Sequence, residues 1–210
     1  MKLYGYYRSS AAYRVRIALN LKGLHADQAF RHLRKGEQRS ADYLPLHPQG
    51  LVPALVLADG TALTQSLAII EYLDEMHPQP RLVPEDAVQR ARVRAFAQAI
   101  ACEIHAVQNL KVLGRLRALG HGDDVVNAWA HDVIAEGLAA CEAMVAGQGG
   151  PFCFGSTPTL ADLALVPQIY NARRFKVNLA AMPRLLAAEA ACMAMPAFAQ
   201  AAPELQPDAE

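Results

Sequence analysis

Pro78-Gln79-Pro80-Arg81-Leu82-Val83-Pro84 divides this chain into two unlike parts. Three prolines in seven residues remove backbone donors and fix φ, so no helix continues through the segment. Before it lie short apolar runs broken by Gly, Asp and Pro. Beyond it the chain becomes alanine-rich, with apolar residues at helical spacing. The expected organisation is a small α/β domain over 1–80 and an all-helical domain over 87–210.

Working back from the linker, residues from Ser66 onward place Ile69, Leu73 and Met76 on one helical face that must stop before Pro78. Ala58-Asp59-Gly60 separates the runs 52–57 and 61–64, and Asp-Gly between apolar runs is a hairpin signal. Residues 26–30 read as a strand leading into the polar loop Arg34-Lys35-Gly36-Glu37. Residues 10–22 read as a helix closed by Gly23, and 2–6 as an aromatic-rich first strand. The order β-α-β…β-β-α is that of a thioredoxin-like domain.

Forward from the linker, Val93, Phe96, Ile100, Ile104 and Val107 recur at steps of three and four, the stripe of one long buried helix. Ile134, Leu138, Cys141 and Val145 form a second stripe. After the loop 147–158, Thr159-Leu160-Ala161-Asp162 has the form of a capping box opening a helix through Leu163, Val166 and Tyr170. No repeat is present.

Composition narrows the function classes. Hydrophobic residues make up 53% and charged ones 19%, the balance of a globular chain. Lys+Arg and Asp+Glu stand at 20 each, which lacks the basic excess expected of a nucleic-acid binder. The opening residues show no secretory pattern, and no apolar run reaches the length of a membrane span, so the expectation is a cytosolic protein with no membrane or nucleic-acid partner. Cys102, Cys141, Cys153 and Cys192 are widely spaced, as are the histidines. They read as reduced cysteines with no metal bound.

Three places can carry chemistry. Ser9 and Ser10 stand between the first strand and the first helix; both read as N-caps, and a helix start there also gathers free N–H groups that suit an anion. A hydroxyl at that point can donate to a thiolate and lower its pKa. Val52-Pro53 precedes a strand, where proline belongs at an edge or a strand start, ordinarily with a trans bond. Gln65-Ser66 opens the next helix and can hold a carboxylate on its N–H groups.

Tyr6-Tyr7-Arg8-Ser9-Ser10-x-x-Tyr13-Arg14-Val15-Arg16-Ile17-Ala18-Leu19 resembles the signature of zeta-class glutathione transferases. So do His47-Pro48-Gln49-Gly50-Leu51-Val52-Pro53-Ala54-Leu55, Gln65-Ser66-Leu67-Ala68-Ile69-Ile70-Glu71-Tyr72-Leu73 and Gln108-Asn109-Leu110. Ala161-Asp162, Leu165-Val166-Pro167-Gln168, Arg174-Phe175-Lys176-Val177 and Gln206-Pro207-Asp208 complete a resemblance over essentially the whole chain.

The resemblance implies the glutathione transferase fold, glutathione as cofactor, a homodimer, and cis–trans isomerisation of maleylacetoacetate by reversible thiolate addition. It implies that 1–80 binds glutathione and that 87–210 binds the substrate. By the same resemblance Ser9 activates the thiol, with Ser10 beside it. Gln38, Val52 (before a cis-Pro53), Gln65, Ser66 and Asn109 contact glutathione. Arg8 and Arg174 anchor substrate carboxylates, and His105 is a candidate donor to the enolate, although a lone helical His is more often structural. This chain departs from relatives at Ala11, where many carry Cys, at Leu51, and at His47, which replaces Asn. Rival expectations are maleylpyruvate as the substrate, a broad transferase for small electrophiles, or a non-catalytic interaction module.

Overall fold

The computed structural model describes all of residues 1–210. It contains two compact units, 1–82 with 194–210, and 83–193. Unit 1 is built on four strands, β1 (Lys2–Gly5), β2 (Asp27–Phe30), β3 (Ala54–Val56) and β4 (Ala62–Thr64), in the order β2-β1-β3-β4. β1 and β2 run parallel, so the chain must cross over between them, and α1 (Ser10–Leu21) is that crossover. β3 pairs antiparallel with both β1 and β4. The Asp59-Gly60 hairpin forms where expected: Leu57 N–H donates to Thr61 C=O and Thr61 N–H to the Asp59 carboxylate. α2 (Ser66–Met76) follows β4 and packs on α1.

The linker is not slack. Lys22 Nζ, fully covered, donates to Asp74 Oδ1 and to the carbonyls of His77 and Pro80, while Asp74 Oδ1 also accepts Leu82 N–H at 2.8 Å. Leu82 is buried, and the Gln79–Pro80 bond is cis, as is Val52–Pro53.

Unit 2 comprises α3 (Ala87–Gln98), α4 (Leu110–Ala118), α5 (Asp123–Met144), α6 (Leu160–Arg174) and α7 (Pro183–Met193). Two expectations need correction here. The first stripe is not one α-helix: α3 passes into a π-helical stretch, Ala99–His105. The widened turns carry the buried face through Ile100 and Ile104 to Gln108, and leave Val107 half-buried. Gly137 of α5 permits this packing, since a Cβ there would stand 2.3 Å from Ile104 Cγ1. The Ile134, Leu138, Cys141 and Val145 stripe is buried as expected, and the Thr159–Asp162 capping box is complete at the start of α6.

The second correction concerns the expected span 87–210. Residues 194–210 belong with the first unit, through hydrogen bonds rather than composition. Asn20 donates to Ala197 C=O, Arg16 Nε to Ala201 C=O, and Tyr7 N–H to Asp208 Oδ2. The short helix α8 (Pro196–Ala199) packs on α1 with Phe198 buried.

Candidate functional site

Sheet register gathers the expected glutathione residues other than Asn109 at one end of unit 1. Tyr4 of β1 lies beside Ala54 of β3, Ala54 beside Thr64 of β4, and Gly5 beside Phe30 of β2. The loops that leave β1, β2 and β4 and the loop that enters β3 therefore share that end. They carry Arg8, Ser9 and Ser10; Gln38; Gln65 and Ser66; and Val52-Pro53, in that order.

Ser9 is the N-cap of α1. Its Oγ accepts the N–H of Ala12 at 3.2 Å, and its own N–H donates to Tyr6 C=O. A serine hydroxyl has one proton and two acceptor sites, so capping by acceptance leaves the O–H available to donate. Ser10 is the first helical residue and is buried. Arg8 is half-buried with its guanidinium over the Tyr7 ring, 5.0 Å from the centroid. Tyr6 and Tyr7 are buried in a cluster with Tyr43, Val52 and Ala54, and burial pushes the Tyr7 phenol up.

At α2, Gln65 holds φ 68° and ψ 112°, left-handed for a side-chain-bearing residue, and its Nε2 donates to Gln49 Oε1 at 2.9 Å. Such backbone persists only where its surroundings over-determine it, and it concentrates at ligand-holding positions. Ser66 is buried and its Oγ accepts from Arg14 Nη1 at 3.2 Å. Val52 is buried before Pro53, and the Tyr43 hydroxyl donates to Leu51 C=O at 2.7 Å, which fixes the approach to that bond. Gln38 Oε1 is buried and has no hydrogen-bond partner. His47, in the same loop, is buried with its ring centroid 6.4 Å from that of Tyr43, and burial pushes its imidazole below the ordinary value.

The remaining expected residues belong to unit 2. His105 ends the π-helical stretch, half-buried. Asn109 is the N-cap of α4; its Oδ1 accepts from Lys111 and Val112 N–H groups, so its Nδ2 is the end that can donate to a ligand. Arg174 ends α6, exposed, with Nη1 donating to Asn171 Oδ1 at 3.3 Å, and the neighbouring Phe175 packs on Leu113, Val126 and Ala130. Arg173, its neighbour, is instead held in a bidentate pair with Glu189. The two consecutive arginines thus have different surroundings.

Sequence reading assigned no role to Arg14, Arg16 or Asp208. Both arginines are nearly covered despite their charge. Arg16 Nη2 donates to Tyr7 C=O at 3.0 Å, and burial lowers its pKa to about 10, with Tyr13 and Asp208 opposing that shift. The available signal was two arginines inside an apolar helix, since buried cations need partners.

The N-terminal domain model of glutathione S-transferases matches residues 8–76, and the corresponding C-terminal domain model matches 85–191. A maleylacetoacetate isomerase of Pseudomonas aeruginosa is 49% identical over 210 residues, covering 99% of this chain and 98% of that protein. The holo structure of a maleylpyruvate isomerase, described as a bacterial zeta-class enzyme, superposes with a TM-score of 0.96 at 45% identity, covering both chains fully. A maleylacetoacetate isomerase of Methylobacterium extorquens, solved with bound malonate and glutathione, gives a TM-score of 0.96 at 38% identity, again covering both chains fully.

Proposed function

This chain belongs to the glutathione S-transferase family, and we propose that it is a glutathione-dependent isomerase converting maleylacetoacetate to fumarylacetoacetate. The observation that carries the reading is Ser9: its oxygen caps α1 by acceptance, so its proton remains for a thiolate placed at the helix start.

The residues present fit glutathione. Two helix N-termini, α1 and α2, open at the same end of the sheet and suit anionic groups, and Gln38 offers a buried unsatisfied acceptor. Val52, Gln65, Ser66 and Ser10 would hold the tripeptide, with the Val52 main chain pairing to its backbone, and Asn109 is proposed as a further contact. When bound, glutathione supplies a thiolate that adds to the cis double bond and later leaves, making the bond single in between.

This chain's residues then have separate tasks. Ser9 donates to the sulfur and, with the positive end of α1, favours the thiolate at neutral pH, below the ordinary thiol value of ~8.5. Arg8 and Arg174 grip substrate carboxylates, which guanidinium does bidentately without losing charge. His105 is proposed to donate to the oxygen that gains charge while the double bond is open. Cytosolic location and homodimeric assembly belong to the same proposal; no helix of the chain is long and apolar enough to cross a membrane.

A second reading takes maleylpyruvate as the substrate, favoured by the full-length likeness to the maleylpyruvate isomerase. Rates on both diacids with glutathione present decide between them. Absence of turnover on both, with glutathione still bound, would leave a transferase or a binding module and remove the isomerase reading.

A further inference from the structure

We propose that the segment 194–210 is a positioning strap for the Ser9 loop, acting through Asp208 on the main chain of Tyr7. This rests on the reading of Ser9 as the thiol-activating residue.

The Tyr7 peptide is tied on both sides. Its N–H donates to Asp208 Oδ2 at 2.9 Å, across 201 positions of sequence, and its C=O accepts from Arg16 Nη2 at 3.0 Å. The same guanidinium donates through Nε to Ala201 C=O at 3.0 Å. One buried cation therefore ties the loop, while the segment holding that cation also supplies the carboxylate on the other side of the residue. Immediately beyond Tyr7 come Arg8 and Ser9, and Ser9 N–H returns to Tyr6 C=O. The Tyr6–Ser9 turn, closed by that bond, is thus also tied at Tyr7 by a residue near the far end of the sequence.

The arrangement differs from general anchoring. The segment is already held by Asn20 on Ala197 C=O, by buried Phe198, and internally by Gln206 Nε2 on the carbonyls of Gln200 and Ala202. Its last residue, Glu210, accepts from or pairs with His32 Nε2 at 2.7 Å. The Ser9–Ala12 cap is formed inside α1 and does not involve the segment. Removing the Asp208 carboxylate therefore releases one peptide N–H beside the loop and takes one negative charge from the surroundings of Arg16, while the other ties of helix and segment remain. A displacement of a fraction of an ångström there is enough to misalign a hydroxyl with a sulfur.

The test compares Asp208→Ala with Asp208→Asn, whose amide oxygen remains a neutral acceptor. Five quantities are read: the ultraviolet titration of the bound glutathione thiolate, kcat on maleylacetoacetate, KM for glutathione, Tm, and hydrogen exchange at the Tyr7 amide. The Ala variant is expected to exchange Tyr7 faster and to raise the apparent thiol pKa. Its kcat should fall about tenfold, with KM for glutathione and Tm close to wild type. The Asn variant is expected to show the same changes at smaller size.

Unchanged titration and kcat in the Ala variant overturn the strap. So does an activity loss that merely tracks a fall in Tm, or an Asn variant as impaired as the Ala variant. If the Ala variant does not fold, the Asn variant decides alone: faster Tyr7 exchange with an unmoved thiol titration overturns the proposal. A wild-type protein that shows no thiolate band with glutathione defeats the Ser9 reading itself, a result distinct from all of these.

Discussion

The guanidinium of Arg14, on α1, donates to the hydroxyl oxygen of Ser66, the first residue of α2, across 3.2 Å. Both side chains are nearly covered, at 1% and 5% exposure. A permanent positive charge thereby stands behind a helix N-terminus that already favours anions. Arg14→Met should weaken glutathione binding by about 5- to 30-fold, the equivalent of roughly 1–2 kcal/mol. Arg14→Lys should recover only part of it, since one ammonium cannot reproduce the planar donor set. Calorimetric titration with glutathione checks both, and equal affinities in all three proteins would show that this charge does not reach the ligand.

Ser9→Ala is expected to keep the fold and much of the glutathione affinity while losing isomerase rate. The cap it removes is worth about 1 kcal/mol, a tolerable loss for a helix buried along most of its length. The thiolate absorbance of bound glutathione, followed against pH, should move to higher pH. An unmoved titration would transfer the role to Ser10.

Replacing Arg8 or Arg174 by Ala should lower kcat/KM on the diacid substrate by about ten- to a hundred-fold, as charge-assisted hydrogen bonds of roughly 1.5–3 kcal/mol are lost. Conjugation of glutathione to a neutral electrophile should be nearly untouched. Parallel losses in both reactions would mean that the arginines support the fold or the glutathione site instead. Arg173→Ala serves as the control: its side chain already holds Glu189, so its loss should lower Tm and leave diacid selectivity alone.

His47 predicts an acid-sensitive loop. Burial holds the folded-state pKa below the ordinary 6.5, so between those two values the unfolded chain binds more protons than the folded one. Stability is therefore complete above 6.5 and declines as pH falls through that window. Thermal unfolding from about pH 7.5 down to pH 5 should show this decline, and His47→Asn should flatten it. An unchanged slope in the variant would place the acid sensitivity elsewhere.

Much of this architecture was legible because it rests on local signals. The proline linker, the Asp59-Gly60 hairpin, the Ser9 cap and the Thr159–Asp162 box all depend on residues close in sequence, and each forms as read. What escaped depends on distance. The π-helical stretch is a change of pitch favoured by a missing Cβ at Gly137, on another helix, and periodicity alone cannot report it. The span 194–210 shares the alanine-rich composition of the helices before it, and its allegiance is set by hydrogen bonds to Tyr7, Arg16 and Asn20. The residues of unit 1 proposed to bind glutathione read in part as helix starts and a strand start, and strand register brings them to one end of a sheet. Arg8, Arg174 and His105 rested on resemblance alone, because an isolated Arg or His carries no local pattern.

The interleaving of the two units has a consequence for biosynthesis. On the ribosome the four strands and first two helices emerge first, yet the residues that cover α1 and tie Tyr7 are translated only after the whole of 83–193. The helical unit is one continuous stretch and can fold as it emerges, whereas the strand-bearing unit must wait, with part of α1 uncovered, for its last pieces. Until those pieces arrive the ties to Tyr7, Arg16 and Asn20 are missing, and slowing translation near residue 190 should lengthen that interval.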